Sequence, residues 1–202
     1  MNRKTSAAQL NPRKQPAQRR AAETFDAILE AAAHILERDG LTGYSTNAIA
    51  ERAGASIGSL YQYFPNKDAI TRALILREMT ALRDQIASID HSLSGRARLQ
   101  LLVSAAIANQ LRRPVLARLL DVEEARLPPD ENVDRLGRET AEIFRQILSS
   151  EDMPEGAGGP HTAADLIAII RGMVDAAGRR GEMDPQNLTD RVIRAVNGYL
   201  AL

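Results

Sequence analysis

Hydroxyl-bearing side chains are concentrated between residues 56 and 63, in a stretch of the chain that carries no charged residue. Ser59, Tyr61 and Tyr63 have the chemistry to hydrogen-bond with phosphates or with base edges, and tyrosine rings can pack on thymine methyl groups. Gly58 has no side chain, so a second molecule can approach the backbone closely there. This combination suits contact with nucleic acid, provided that a helix presents these groups on one exposed face.

Two short helices joined by a glycine turn are predicted to carry these side chains. The first begins at the serine and threonine of 45–46, either of which can cap a helix, and Gly54 ends it in a left-handed conformation. Ser56 caps the second helix, whose buried side is formed by Leu60 and Phe64. Such a pair fits a helix-turn-helix, but spacing alone fits a plain apolar hairpin in an all-helical core equally well.

A longer motif favours the first interpretation. It consists of Thr46, the sequence IAERAGAS at 49–56, Gly58, the sequence LYQYF at 60–64 and Lys67. Together these residues resemble the DNA-binding signature of the tetracycline-repressor (TetR) family of transcriptional regulators, over about the first third of the chain. The family more often has valine in place of Ala55, a departure that removes one buried contact and affects no functional position.

The motif also assigns the groups that contact DNA. The predicted DNA-binding residues are Thr46, Asn47, Ser56, Gly58, Ser59, Tyr61, Tyr63 and Lys67. Thr46 and Asn47 begin a helix, where side chains and free backbone amides suit a phosphate, and the family's lysine matching Lys67 contacts a phosphate. The alternative for Tyr61 is partial burial against the first helix. Apart from Gln62, no arginine or glutamine lies on this surface, so the operator sequence stays open.

The N-terminal segment is strongly basic, although the whole chain has a formal net charge of zero. Its first 22 residues contain no acidic residue and six basic ones: Arg3, Lys4, Arg13, Lys14, Arg19 and Arg20. Prolines at 12 and 16 predict a flexible arm over residues 1–18 rather than a helix. This arm is either a solubilising tail or, as the adjacent motif favours, a segment that neutralises phosphates or enters the minor groove.

Apolar residues at helical spacing predict an all-α fold without strands or internal repeats. A helix at about 19–38, ended by Gly40, completes a three-helix DNA-binding head at 19–65. Asn66 caps a long helix that joins the head to a helical effector-binding and dimerisation domain at 66–202.

The rest of the chain is predicted to contain three middle helices between 96 and 150, a glycine- and proline-rich loop at 149–161, and two closing helices at about 162–178 and 185–201. The closing helices are apolar over a wide arc, which fits burial against two neighbours. They are either central helices of one chain or, as the resemblance implies, half of a four-helix homodimer interface. Gly172 and Gly178 would let a partner helix approach closely.

The middle helices are the predicted effector compartment. Small residues between 104 and 108 either leave room for a ligand or permit tight packing. Gln110 is in register with the apolar face, and a buried amide needs a hydrogen-bond partner. It is therefore either a satisfied core residue or a weak candidate for orienting a ligand, and the ligand class stays open.

Residues that would support catalysis or metal binding are sparse. The absence of cysteine excludes disulfides and thiolate chemistry and fits a reducing cytoplasm. His34, His91 and His161 are far apart in sequence. The pairs Glu123–Glu124 and Asp130–Glu131 are interpreted as solvated helix ends, because adjacent helical residues do not face each other. We expect no catalytic residue, metal or cofactor, and no membrane partner, since no apolar run reaches the roughly 20 residues that span a bilayer.

These patterns predict a cytoplasmic, homodimeric transcriptional regulator that binds a palindromic operator in double-stranded DNA. The resemblance implies a repressor that a small-molecule effector releases from its operator through movement of the linking helix. Two alternatives remain: a DNA-binding regulator without a small-molecule ligand, and a helical enzyme or interaction module whose hairpin only resembles a DNA-binding motif.

Overall fold

The computed structural model describes residues 19–200, and the predicted basic arm at 1–18 lies outside them. Within that range the chain forms nine α-helices and no strand, which confirms the predicted all-α fold class. The helices are α1 Arg19–Gly43, α2 Thr46–Arg52, α3 Ile57–Tyr63, α4 Lys67–Ala87, α5 Gly95–Arg112, α6 Pro114–Arg126, α7 Glu131–Leu148, α8 Thr162–Arg179 and α9 Pro185–Leu200.

These helices group into two compact units. Of the described residues, the first contains 19–78 together with Val115–Asp130, and therefore α1 to α3, the first part of α4, and α6. The second contains Met79–Pro114 and the described residues of 131–200. This grouping reports which helices pack together, so the functional division at residues 65–66 stays a prediction.

Glycines shape the backbone of the first unit at the two expected places. Gly40 has φ 63° and ψ −162° and interrupts α1 at the predicted stop, after which three further residues complete the helix at Gly43. Gly54 has φ 64° in the turn between α2 and α3, the left-handed conformation that glycine adopts without steric cost.

Side-chain caps fix where the next three helices begin. The Ser45 hydroxyl accepts a hydrogen bond from the Ala48 amide at 3.3 Å, so Ser45 rather than Thr46 is the cap of α2. Ser56 accepts from the amide of Ser59 at 3.0 Å at the start of α3. The side chain of Asn66 accepts from the Ala69 amide at 2.9 Å at the start of α4. All three caps occupy predicted positions, and they satisfy amides that the helix leaves unpaired.

Within the first unit, α6 is joined to α4 by charged side chains. One guanidinium nitrogen of Arg126 lies 2.6 Å from Glu123 and 2.6 Å from Asp68. Arg72, only 1% exposed, donates to the backbone oxygen of Pro128. The prediction that Glu123 is a solvated helix end is wrong, because its side chain is buried and paired with Arg126.

The second unit is a bundle in which α5 packs against α7, α8 and α9. Its core is aliphatic with a single aromatic ring, and includes Leu102, Val103, Ile107, Phe144, Ile147, Leu166, Ile170, Val174, Leu188, Val192 and Val196. The segment 149–161 forms turns, as its composition predicts. Asp152 in that segment accepts hydrogen bonds from the amides of Gly95 at 2.7 Å and Arg96 at 3.0 Å, which ties it to the first turn of α5.

The two glycines of α8 differ in their surroundings. A side chain added at Gly178 would lie 3.1 Å from the amide nitrogen of Gln110, so Gly178 makes room for a residue of its own chain. At Gly172 an added Cβ would meet no atom within 4 Å, and the position is exposed. Of these two glycines, Gly172 is therefore the one available to a partner helix.

Among the helices described, none combines the length and the apolar composition required to cross a bilayer.

Candidate nucleic-acid interface

The second helix of the predicted DNA-binding motif, α3, has one buried side and one exposed side. Leu60 and Phe64 are fully buried, as predicted, and Phe64 stacks on Phe25 of α1 with ring centroids 4.8 Å apart. The exposed residues of α3 are Ile57, Gly58, Tyr61 and Gln62, which we call the recognition face. Because α3 is anchored through Leu60 and Phe64, this face has a fixed orientation.

Tyr61 connects α3 to the start of α2. Its hydroxyl lies 3.3 Å from the hydroxyl of Thr46, within hydrogen-bond distance. The side chain is 41% exposed, so Tyr61 is not buried against α1. Its hydroxyl contacts Thr46, whereas its ring is exposed. The apolar ring is therefore the main surface with which Tyr61 could contact a partner.

The structure places two predicted contact residues differently from the sequence analysis. The sequence pattern predicts Tyr63 on the exposed side, but it is half-buried and its ring meets the edge of Phe25, with centroids 6.2 Å apart. The Ser59 hydroxyl lies 2.8 Å from that of Ser56 and is also half-buried. These residues hold α3 in place, since one packs on α1 and the other belongs to the helix cap.

Gly58 is a glycine that its own fold does not require. It lies inside α3, and of the described atoms a Cβ added there would meet only the Ser56 hydroxyl, at an ordinary contact distance of 3.8 Å. Glycine inside a helix costs about 0.5–1 kcal/mol relative to alanine. The fold therefore gains nothing from the missing side chain, and the free space at Gly58 faces outward.

Lys67 and Asn47 are both exposed at helix starts. The ammonium group of Lys67 lies 5.9 Å from the centre of the Tyr44 ring, a distance that permits a cation–π contact. Tyr44 is buried and accepts a hydrogen bond from Thr71 at 3.1 Å, and burial raises the pKa of its phenol. Tyr44 therefore stays neutral, and its ring lies within reach of the Lys67 ammonium group, while the Lys67 residue as a whole is exposed.

Sequence reasoning leaves Ile57 and Gln62 out of the predicted contact residues, yet both lie on the recognition face. Gln62 has the amide that hydrogen-bonds an adenine edge. Ile57 is an aliphatic residue at the first position of a capped helix, where the chain has just emerged from a turn. Its place at the helix start is the only sequence feature that could have indicated its exposure. Whether an aliphatic residue in a first turn is buried depends on which neighbouring element covers it.

The predicted effector compartment in the middle helices corresponds to two separate features of the second unit: the buried Gln110 and an open groove. Gln110 is 9% exposed, and its side-chain nitrogen has no hydrogen-bond partner among the described residues. Its position next to Gly178 directs it into the helical core rather than toward a surface. An open groove of about 270 Å³ lies nearby in sequence, lined by Ala81, Gln85, Ala108, Asn109 and Arg112. A ligand-orienting role for Gln110 stays a prediction.

Residues 28–74 match the family model for bacterial regulatory proteins of the tetR family. The chain is 29% identical over 155 residues to the nucleoid occlusion factor SlmA of Vibrio vulnificus strain YJ016, covering 74% of this chain and 79% of SlmA. It is also 29% identical over 184 residues to the transcriptional regulator BetI of Paraburkholderia phytofirmans, covering 87% and 90% of the two chains. A TetR transcription regulator from Haloarcula marismortui shares the fold with a TM-score of 0.72 at 18% identity, over 89% of this chain and 97% of that one.

The family match runs from within α1 through α2 and α3 to the start of α4, and it includes the recognition face and the buried Leu60 and Phe64. The similarity to BetI extends through most of both chains. The motif, the geometry of α2 and α3 and these relatives agree: residues 28–74 carry the DNA-binding motif of the TetR family, and the chain is a DNA-binding transcriptional regulator similar to that family over most of its length.

Proposed function

We propose that the recognition face of α3 enters the major groove of an operator, with Thr46, Asn47 and Lys67 on the flanking phosphates. The observation that supports this most directly is Gly58, an exposed helical glycine that the fold itself does not require. In a helix-turn-helix the second helix lies in the major groove, and its N-terminal residues contact the bases. A missing side chain at that end allows the backbone to approach the bases closely.

Selection from a pool of random DNA duplexes tests this assignment and identifies the operator in the same experiment. The full chain should recover a defined sequence, and a Gly58→Leu variant should bind that sequence much more weakly while keeping its helical circular dichroism. Equal binding by the wild type and by Gly58→Leu would place the DNA contact elsewhere on the molecule.

The same proposal includes a homodimer formed through α8 and α9. Ala164, Ala168 and Gly172 lie at four-residue spacing along α8, and short side chains let two helices approach closely. Gly198 on α9 is exposed, with no atom within 4 Å of an added Cβ. A two-fold dimer explains why the operator should consist of two inverted half-sites.

Sedimentation velocity provides the test of the dimer. Ala168→Arg should convert the dimer to monomers, because a long charged side chain would separate the two copies of α8. Gly137→Arg, on the exposed side of α7, is the matched control and should remain dimeric. Ala168→Arg with the wild-type sedimentation coefficient would show that α8 does not form the interface.

The regulation we propose is repression, the commoner mode of the family, and a small molecule that relieves it. The groove beside α5 offers a place for such a molecule, with two alanines and the polar groups of Gln85, Asn109 and Arg112. Its volume lies just below the range of about 300–1,000 Å³ typical of ligand sites, which suits a small effector. The continuous helix α4, which contributes to both units, is the physical connection to the DNA-binding motif.

Operator affinity in the presence of a panel of small metabolites tests this regulation. A true effector should weaken operator binding by the wild type but not by Ala108→Phe, whose ring fills the groove. An effector that acts equally on both proteins would bind outside the groove, and a compound without effect at saturation is not an effector.

A further inference from the structure

The recognition face is apolar and uncharged where it is most exposed. Ile57 is 40% exposed and Tyr61 is 41% exposed, and their spacing of four residues places them side by side on α3. No charged residue occurs in α3. Gly58 adds no side chain beside them, so nothing on α3 shields the isoleucine from a bound molecule.

The four base pairs differ in what they offer to such a surface. Guanine is most often recognised by arginine or lysine, neither of which is present on α3. Thymine alone among the standard bases presents a methyl group in the major groove, and apolar side chains recognise it by contact. An exposed isoleucine at the N-terminal end of α3 is therefore matched to a thymine methyl group.

We propose that Ile57 is a specificity-determining residue that recognises the C5-methyl group of one thymine in each half-site, with the Tyr61 ring beside it. The 3.3 Å contact between the hydroxyls of Thr46 and Tyr61 restrains the position of the Tyr61 ring on this face. Gln62, on the same face, contributes a separate hydrogen-bonding contact. This inference rests on the proposed placement of α3 in the major groove.

Replacing thymine by deoxyuridine tests the inference, because it removes the methyl group and keeps every hydrogen-bonding group of the base. The duplex recovered by selection is substituted at one thymine position at a time, and binding is measured by fluorescence anisotropy at fixed salt. At one position the wild type should bind the uracil duplex about fourfold more weakly for each half-site, the value expected for one buried methyl group. Ile57→Ala should bind the thymine and uracil duplexes equally.

Gln62→Ala is the matched control, since Gln62 lies on the same exposed face. It should bind the operator more weakly overall but keep the full preference for thymine over uracil. Wild-type binding that is indifferent to every thymine replacement, or an Ile57→Ala variant that keeps the thymine preference, would overturn the inference. Failure of the chain to recover any sequence would instead contradict the proposed DNA contact itself, so the two failures are distinguishable.

Discussion

The hydroxyls of Thr46 and Tyr61 lie 3.3 Å apart, and this contact joins the first residue of α2 to the middle of α3. In the proposed complex Thr46 lies on a phosphate and the Tyr61 ring lies on the recognition face. Their contact would then fix the distance between the proposed phosphate contact and the recognition face. Tyr61→Phe removes this contact and keeps the ring, so in fluorescence anisotropy titrations it should weaken operator binding less than Tyr61→Ala does.

Gly58→Ala should raise the stability of the protein and lower its affinity for the operator. Because the new methyl group meets no close neighbour, the free energy of unfolding should rise by about 0.5–1 kcal/mol, the helix-propensity difference. Operator affinity should fall, since the methyl group would occupy the space that we propose faces DNA. Urea unfolding and fluorescence anisotropy on the same samples measure the two effects.

Gly137→Ala is the control for this substitution. Gly137 is an exposed glycine in α7 with no atom within 4 Å of an added Cβ. The variant should show the same gain in stability with unchanged operator affinity. A Gly58→Ala protein that binds DNA as tightly as the Gly137→Ala protein would contradict the proposal that Gly58 lies against DNA.

Lys67→Ala should change the salt dependence of DNA binding. If Lys67 neutralises one phosphate, its loss lowers the slope of log affinity against log salt by about 0.9 for each copy bound. Arg138→Ala, an exposed substitution in α7, should leave the slope unchanged. Affinity titrations at several salt concentrations measure the slope, and an unaltered slope for Lys67→Ala would remove it from the phosphate contacts.

Arg126→Ala should destabilise the protein, because it leaves the buried carboxylate of Glu123 without its partner. Loss of one partner of a buried pair costs about 3–5 kcal/mol, and since Arg126 is half-exposed we expect a smaller loss, about 1–3 kcal/mol. Arg145 and Glu142 have the same three-residue spacing and the same 2.6 Å separation, but both are exposed. Arg145→Ala should therefore leave the urea midpoint near the wild-type value. Equal midpoints for Arg126→Ala and Arg145→Ala would show that burial of the carboxylate does not decide the cost of losing its arginine partner.

Asp152 should make stability depend on pH. The amides of Arg96 and Gly95 donate to its carboxylate and hold its pKa below the usual value. A depressed pKa in the folded state stabilises the fold above the unfolded pKa of about 3.9, and this contribution disappears as the pH falls through the folded value. Asp152→Ala should thus lower the urea midpoint at pH 7.

The midpoints of the wild type and Asp152→Ala should converge in acid. Glu151→Gln removes a neighbouring negative charge and should behave like the wild type at both pH values. A difference between the wild type and Asp152→Ala that stayed constant down to strongly acidic pH would mean that the carboxylate charge is not its source.

Local signals in the sequence are sufficient for the helices and their caps. Ser45, Ser56 and Asn66 are caps because each accepts a bond from an amide three residues ahead, a contact that a short stretch of sequence determines. Leu60 and Phe64 are predictable as core residues for the same reason: their spacing places them on one side of α3.

Contacts between distant parts of the chain cannot be predicted in this way. Tyr61 and Tyr63 are two residues apart and chemically identical, yet Tyr63 packs on Phe25, whereas Tyr61 is exposed. Glu123 resembles a solvated residue in the sequence, but it is buried, and its partner Arg126 also pairs with the distant Asp68 of α4. Likewise, Gly172 and Gly178 differ only because Gln110 fills the space beside Gly178.

Binding of the selected operator by Tyr61→Ala, at matched salt, tests most directly whether the exposed face of α3 contacts DNA. Because Tyr61 is exposed, the variant should keep the wild-type circular dichroism and urea midpoint. We predict that its affinity is roughly tenfold lower, the loss expected for one good base contact. Wild-type affinity in a Tyr61→Ala protein with an intact fold would contradict the account.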